Sequence, residues 1–182
     1  MGHRDALTGT GGGRVPAVGY RVSNAARIRR IAIIILSIAL ILGLRLWVLE
    51  PRTVTSDSME PTIMRGSTVL LLKSLPPGDA VTAGRLVVFR SPQDGHTTLK
   101  RVIAVGGQRV AIRDAILYVD DVEVAEPFVD HSRIDGTYFG PVTVPSGHVF
   151  VLGDNRAVSI DSREFGAVPL KNLDATLLWP RS

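Results

Sequence analysis

From Ile31 to Leu49 the chain reads IAIIILSIALILGLRLWVL, nineteen residues interrupted by one charge, Arg45. As a helix at about 1.5 Å per residue this run reaches roughly 28 Å, close to the hydrocarbon thickness of a bilayer. A helix buried in a soluble core would keep a polar face, and this one has none. A cleavable leader would end in an A-x-A-like exit, which Trp47-Val48-Leu49-Glu50-Pro51 does not offer. The run is therefore expected to be an uncleaved transmembrane anchor, with Arg45 snorkelling to the headgroups at its far end and Trp47 at the outer interface.

After Glu50 the pattern changes to short apolar runs separated by Gly, Pro or Asp: Thr68–Leu72, Arg85–Arg90, Thr98–Val105, Gln108–Ile112, Ile116–Val119, Val122–Val124, His148–Leu152 and Thr176–Trp179. Leu117 to Val124 reads as a hairpin with an Asp120-Asp121 turn. No stretch here has strong helical periodicity and there is no internal repeat. The pattern predicts a mainly β fold, several small antiparallel sheets or a distorted barrel, preceded by one N-terminal transmembrane helix. Three parts are expected: a basic flexible tail over 1–30, the anchor over 31–49, and a β-rich domain over 50–182.

Composition sharpens this picture. Of 182 residues 45% are hydrophobic but only 5% aromatic, so the core must rest on Val, Leu and Ile, which favour strands. The net charge is +4, and Arg14, Arg21, Arg27, Arg29 and Arg30 all precede the apolar run. That asymmetry places the N-terminus in the cytoplasm and everything after Glu50 outside, in a single-pass plasma-membrane protein. Downstream the charges are mixed, which argues against nucleic acid as a partner. There is no cysteine, which excludes disulfides, thiolate metal sites and a cysteine nucleophile. His3, His96, His131 and His148 are scattered without an H-E-x-x-H, so no metal and no cofactor is expected.

Three polar constellations stand out: Thr55-Ser56-Asp57-Ser58-Met59-Glu60-Pro61-Thr62; Lys100-Arg101 inside the apolar run Thr98–Val105; and Gly153-Asp154-Asn155-Arg156, followed by Ser159-Ile160-Asp161-Ser162-Arg163 and Gly166-Ala167-Val168-Pro169. Singly they read as a turn, a solvated lysine on a strand, and a polar loop. Together, and in this order, they resemble the boxes of the type I signal peptidases: S-x-S-M-x-P-T, then K-R on a strand, then G-D-N-R, S-x-D-S-R and G-x-V-P. The segment Gly78-Asp79-Ala80-Val81 to Phe89 also looks like the family's region between the first two boxes. The resemblance covers roughly Arg45 to Pro169.

The resemblance implies a serine nucleophile at Ser58 and a lysine general base at Lys100. It implies an oxyanion hole from the Ser58 backbone N–H and the Ser56 hydroxyl. Ser159 would orient the lysine, Gly153 would leave it room, and Asp161 with Arg163 would form a supporting ion pair, with Asp154 supporting through Arg101. Lysine is protonated at neutral pH unless burial lowers its pKa by some units; Leu99, Val102, Ile103, Met59 and Phe165 are available to make that surrounding. Substrates would be secretory preproteins with small residues at the first and third positions before the cut. Shallow pockets would be built from Val54, Met59, Ile63, Thr98 and Leu99, and the peptide would add as a strand beside Thr97–Lys100. Other partners would be membrane lipid only. Glu60 is expected at the surface. The loop Arg156-Ala157-Val158-Ser159 and the Glu164-Phe165 pair depart from common family patterns, and the short Val110–Pro145 stretch leaves no room for the large second domain of some Gram-negative members. Two other readings share much of this: a specialised Ser-Lys peptidase for pilin maturation or conjugation, and a catalytically silent membrane-tethered β module.

Overall fold

The computed structural model describes residues 24–73, 81–134 and 136–180, without the side chains of 44, 46 and 47. The expected tail up to residue 23, the Trp47 interface anchor and Gly78–Ala80 of the resemblance lie outside the described residues. The chain divides into two units, one ending at Ile41 and one running from Leu42 to Ser182.

Helix α1 spans Asn24–Val48. It starts before the apolar run and takes in Arg27, Arg29 and Arg30, and its apolar side chains from Ile31 to Leu42 are exposed. Among the described residues no helix is long and apolar enough to cross a membrane. The described apolar part of α1, Ile31 to Gly43, follows directly on the three arginines. The fold class expected from sequence is thus met in its mainly β part and not in its spanning helix. Helical geometry stops at Val48, two residues before Glu50, which precedes Pro51 and so disfavours helical backbone.

Among the described residues the second unit holds eleven strands: β1 Leu49–Thr53, β2 Thr68–Leu72, β3 Leu86–Arg90, β4 Thr97–Val105, β5 Arg109–Arg113, β6 Ile116–Val119, β7 Val122–Glu123, β8 Phe139–Thr143, β9 His148–Leu152, β10 Val168–Pro169 and β11 Leu173–Trp179. A short helix, α2, covers Ser162–Phe165. The strands form two antiparallel sheets, a seven-stranded one in the order β1-β2-β11-β3-β4-β9-β10 and a four-stranded one in the order β7-β6-β5-β8. The expected hairpin joins β6 to β7, with Asp120 at φ 53° and Asp121 at φ 62°, the left-handed pair that a tight two-residue turn needs.

Strand alternation sorts the core. Val87 and Phe89 of β3 join Val102, Val149, Val151 and Val168 in one cluster, while Leu86 and Val88 join Met59, Ile63, Val69 and Leu71 in another. A third cluster contains Ile103, Ala104, Val110, Leu117, Phe150 and Leu152. Each buried side chain of this kind stabilises the fold by about 1.5–3 kcal/mol. The β4–β9 register shifts between Val102 and Ala104. This bulge lets the adjacent residues Ile103 and Ala104 serve the same cluster, where an unbroken strand would send them to opposite faces.

Strand β4 is paired unevenly along its length. Its first half pairs with β3 from Thr97 to Arg101, but its other edge pairs with β9 only from Arg101 onward. Among the described residues, Thr97–Lys100 therefore has one unpaired backbone edge.

Candidate active site

Ser56 and Ser58 sit on a loop closed at its base by backbone bonds from Val54 to Ser67 (2.9 Å) and from Gly66 to Val54 (2.8 Å). Gly66 has φ 87°, a conformation that glycine adopts without strain. The tip of the loop is tied to the turn after β9: the Asn155 N–H donates to the Ser58 carbonyl (3.1 Å) and the Asn155 amide to the Asp57 carbonyl (3.2 Å). Ser58 N–H donates to Ser56 Oγ at 3.2 Å, so these two groups meet each other. Ser58 Oγ has no hydrogen-bond partner among the described residues. Both serines line a groove with Arg52–Thr55, Met59, Val69, Leu71, Val88 and Thr97–Leu99.

Lys100 lies behind this groove, 2% exposed. On β4 it faces Val87 across the ladder, and Val102, two residues on, shares its side of the sheet. The apolar surround is therefore the cluster of Val87 and Val102, against which Phe165 also packs. Leu99 and Met59 belong to the cluster of the alternate face, and Ile103 to the third. Burial lowers the Lys100 pKa from its ordinary 10.5 to about 8, although Asp161 pulls the other way. The amine donates to Ser159 Oγ at 2.9 Å and is not hydrogen-bonded to Ser58. A looser geometry of this kind is common in a site without substrate.

Gly153 lies where the two loops approach most closely. A Cβ there would overlap the Ser159 side chain and stand 2.5 Å from the Ser58 carbonyl oxygen. No other residue type fits. Its N–H donates to Asp161 Oδ2 (3.0 Å). Asp161 also caps α2 in a capping box with Glu164 and binds Arg163 through both oxygens (2.8 and 2.9 Å). Arg163 Nη2 in turn donates to the carbonyls of Arg156 (3.0 Å) and Ser159 (3.1 Å), which fixes the backbone carrying the lysine's partner. Asp154 takes two bonds from Arg101 (2.8 and 2.7 Å), and Phe128 stacks on that guanidinium at 4.1 Å.

Ile63 departs from its expected place. It is buried in the core with Met59, Val69 and Leu71 and does not line the groove, whereas Val54, Met59, Thr98 and Leu99 do. The turn Met59–Ile63, closed by the Ile63 N–H on the Met59 carbonyl (2.9 Å), aims Ile63 inward. Two contributors were missed from sequence. Asn155 latches the loops together. Glu126 forms a buried pair with Arg156 at 2.8 and 2.5 Å. The arginine of Gly153–Arg156 was visible, but nothing local marked an acid thirty positions upstream as its partner.

A family model described as signal peptidase, peptidase S26, matches residues 27–180. The chain belongs to this family. Signal peptidase I of Bacillus licheniformis is 32% identical over 152 residues, which cover 79% of this chain and 82% of that one. The probable signal peptidase I-1 of Synechocystis is 35% identical over 152 residues, covering 79% and 76%. A crystal structure of a signal peptidase I from Enterococcus faecalis aligns at 31% identity over 53% of this chain and 96% of that one, with a TM-score of 0.47. As a type I signal peptidase, the chain is a serine endopeptidase.

Proposed function

We propose that the chain is a membrane-anchored endopeptidase that removes N-terminal signal peptides from exported preproteins after small residues, with Ser58 as nucleophile and Lys100 as general base. The observation that carries this reading is the buried Lys100 amine, whose pKa of about 8 leaves a useful neutral fraction near physiological pH. A neutral amine takes the Ser58 proton as the hydroxyl oxygen attacks the scissile carbonyl. The same amine, now charged, returns that proton to the leaving amine. Ser159 holds Nζ in one orientation throughout. The oxyanion meets the Ser58 N–H and the Ser56 hydroxyl once Ser56 Oγ gives up its bond from that N–H; one such donor is worth roughly 3 kcal/mol.

The substrate strand lies along the unpaired edge of Thr97–Lys100, where main-chain groups await a partner. Val54, Met59 and Leu99 floor the groove closely and accept small side chains at the positions before the cut. Asp154, Asp161, Gly153 and Arg163 act by holding the Ser58 and Ser159 loops in register.

We propose α1 as the anchor. Its backbone is helical from Asn24 to Val48, the sequence from Ile31 to Leu49 carries Arg45 as its one charge, and its apolar side chains from Ile31 to Leu42 are exposed, which calls for a surround other than water. The tail over 1–30 is then cytoplasmic and residues 50–182 form the outward catalytic domain.

The test is digestion of a secretory precursor by wild type, Ser58→Ala and Lys100→Ala side by side, read by mass spectrometry. Wild type cuts once, after a small residue, and both variants lose at least about a thousandfold in rate. The wild-type kcat/KM rises about tenfold per pH unit below pH 8 and levels off above it. Activity in either variant near that of wild type rejects the assignment.

A further inference from the structure

The groove beside Ser58 changes character within one pleat of the sheet. Leu71 of β2, Val88 of β3 and Leu99 of β4 line it with apolar surface. Side chains two positions along a strand share a face, and here those positions hold Lys73, Arg90 and Thr97. With Glu50, Arg52, Asp174 and Ala175 they line a second depression. It shares Arg52, Leu71, Val88 and Thr97 with the first, so the two are one continuous channel.

The far end of this channel carries three cations, Arg52, Lys73 and Arg90, against two carboxylates, Glu50 and Asp174. Glu50 is already engaged, by Arg52 and by Lys73 Nζ at 2.6 Å. The Arg90 guanidinium has no hydrogen bond or ion pair among the described residues, and the residue stands directly opposite Thr97 in the β3–β4 register. A peptide on the free edge of β4, with its cleaved bond level with Lys100, reaches Thr97 three residues upstream at about 3.3 Å per residue. Arg90 stands at that same level one strand further on, about 9.5 Å from the peptide backbone, a gap that a guanidinium on its long stem and an acidic side chain span together.

We propose that this charged end is a specificity subsite in which Arg90 favours an acidic side chain, and disfavours Lys or Arg, roughly four to six residues before the cut. The proposal rests on the Ser58–Lys100 reading. It adds a second criterion to small-residue selection: an electrostatic one, set away from the chemistry. Because the site is open to solvent, the preference is modest and weakens as salt screens it.

The experiment uses full-length protein and peptides identical except for Glu, Gln or Lys at the fourth, fifth or sixth residue before the cut, with the same changes at the second residue after it. For wild type at low salt, the Glu-to-Lys ratio of kcat/KM reaches about tenfold at one upstream position, falls toward one at high salt, and stays near one downstream of the cut. Arg90→Gln flattens the ratio and Arg90→Glu inverts it. Lys171→Glu, an identical charge change outside both depressions, leaves it as in wild type. A wild-type ratio near one at all three positions, with the Gln peptide cleaved, overturns the subsite alone. So does a preference that survives Arg90→Glu. Failure of wild type to cleave the Gln peptide overturns this proposal and the proposed function together.

Discussion

Lys100 meets two opposed demands. Chemistry wants a neutral amine, and burial supplies one by destabilising the charged form. The fold bears that cost whenever the amine is protonated. A shift from 10.5 to about 8 corresponds to about 3 kcal/mol below pH 8. Between pH 8 and 10.5 the unfolded chain holds a proton that the folded one has released, so stability rises with pH and the penalty fades. Lys100→Met removes the penalty and strands the Ser159 hydroxyl, at about 1 kcal/mol. The net expectation at pH 7 is a gain of about 2 kcal/mol, seen as a Tm several degrees higher, shrinking as pH approaches 10.5. Equal stability of the two proteins across that range would show that the amine is solvated. At this scale residue order singled out Ser58, Lys100 and Ser159, and of these the structure joins the Lys100 amine to the Ser159 hydroxyl, while the catalytic roles belong to the proposal. The sequence was silent on Glu126 and Asn155, whose roles depend on which distant backbone they meet, and it misjudged Ile63 because a turn reverses direction within four residues.

At the scale of elements, the strands that hydropathy missed have a common cause. β1, β8 and β10 contain Pro51, Pro141 and Pro169, and all three are edge strands of their sheets. Proline cannot donate to a ladder, so it is tolerated at an edge, and the same residue hides the strand from a reading based on apolar runs. The central strands β3 and β9 were legible because burial on both faces makes them almost continuously apolar, and β4 because Val102–Val105 continues an apolar run past Lys100-Arg101. Helix α2 was missed because four residues show no period; its capping box, Asp161 with Glu164, was the available sign. Loops are joined by buried ion pairs, chiefly Arg156–Glu126 and Arg101–Asp154. Glu126→Gln leaves a buried guanidinium without its counter-charge and is expected to cost about 3–5 kcal/mol. The double change Glu126→Leu with Arg156→Met removes both charges and recovers much of that in chemical denaturation. If the double variant were as unstable as the single one, packing and not charge would explain the contact.

For the whole molecule, the two-sheet architecture follows from where the apolar runs fall, but its pairing order does not. β11, last in the chain, inserts between β2 and β3, and no local pattern announces so long a return. The helix and the β domain also differ in what they ask of their surroundings. Full-length protein is expected to stay with membranes through an alkaline carbonate wash and to be released by detergent. Release by carbonate alone would reject α1 as an anchor. Any shortened form must begin no later than Leu49, since β1 contributes the pairing from Leu49 to Thr53 that covers β2.

The half-dressed strand β4 has a consequence for handling the protein. Four consecutive residues of main chain that wait for a guest do not distinguish a precursor from a neighbouring molecule, and an unclothed ribbon is what aggregation exploits. Concentrated protein with Ser58 replaced by Ala should therefore self-associate slowly, and a short, tight-binding peptide should keep it monodisperse in light scattering. Vulnerability to clumping and recognition of cargo would then be one property of one edge.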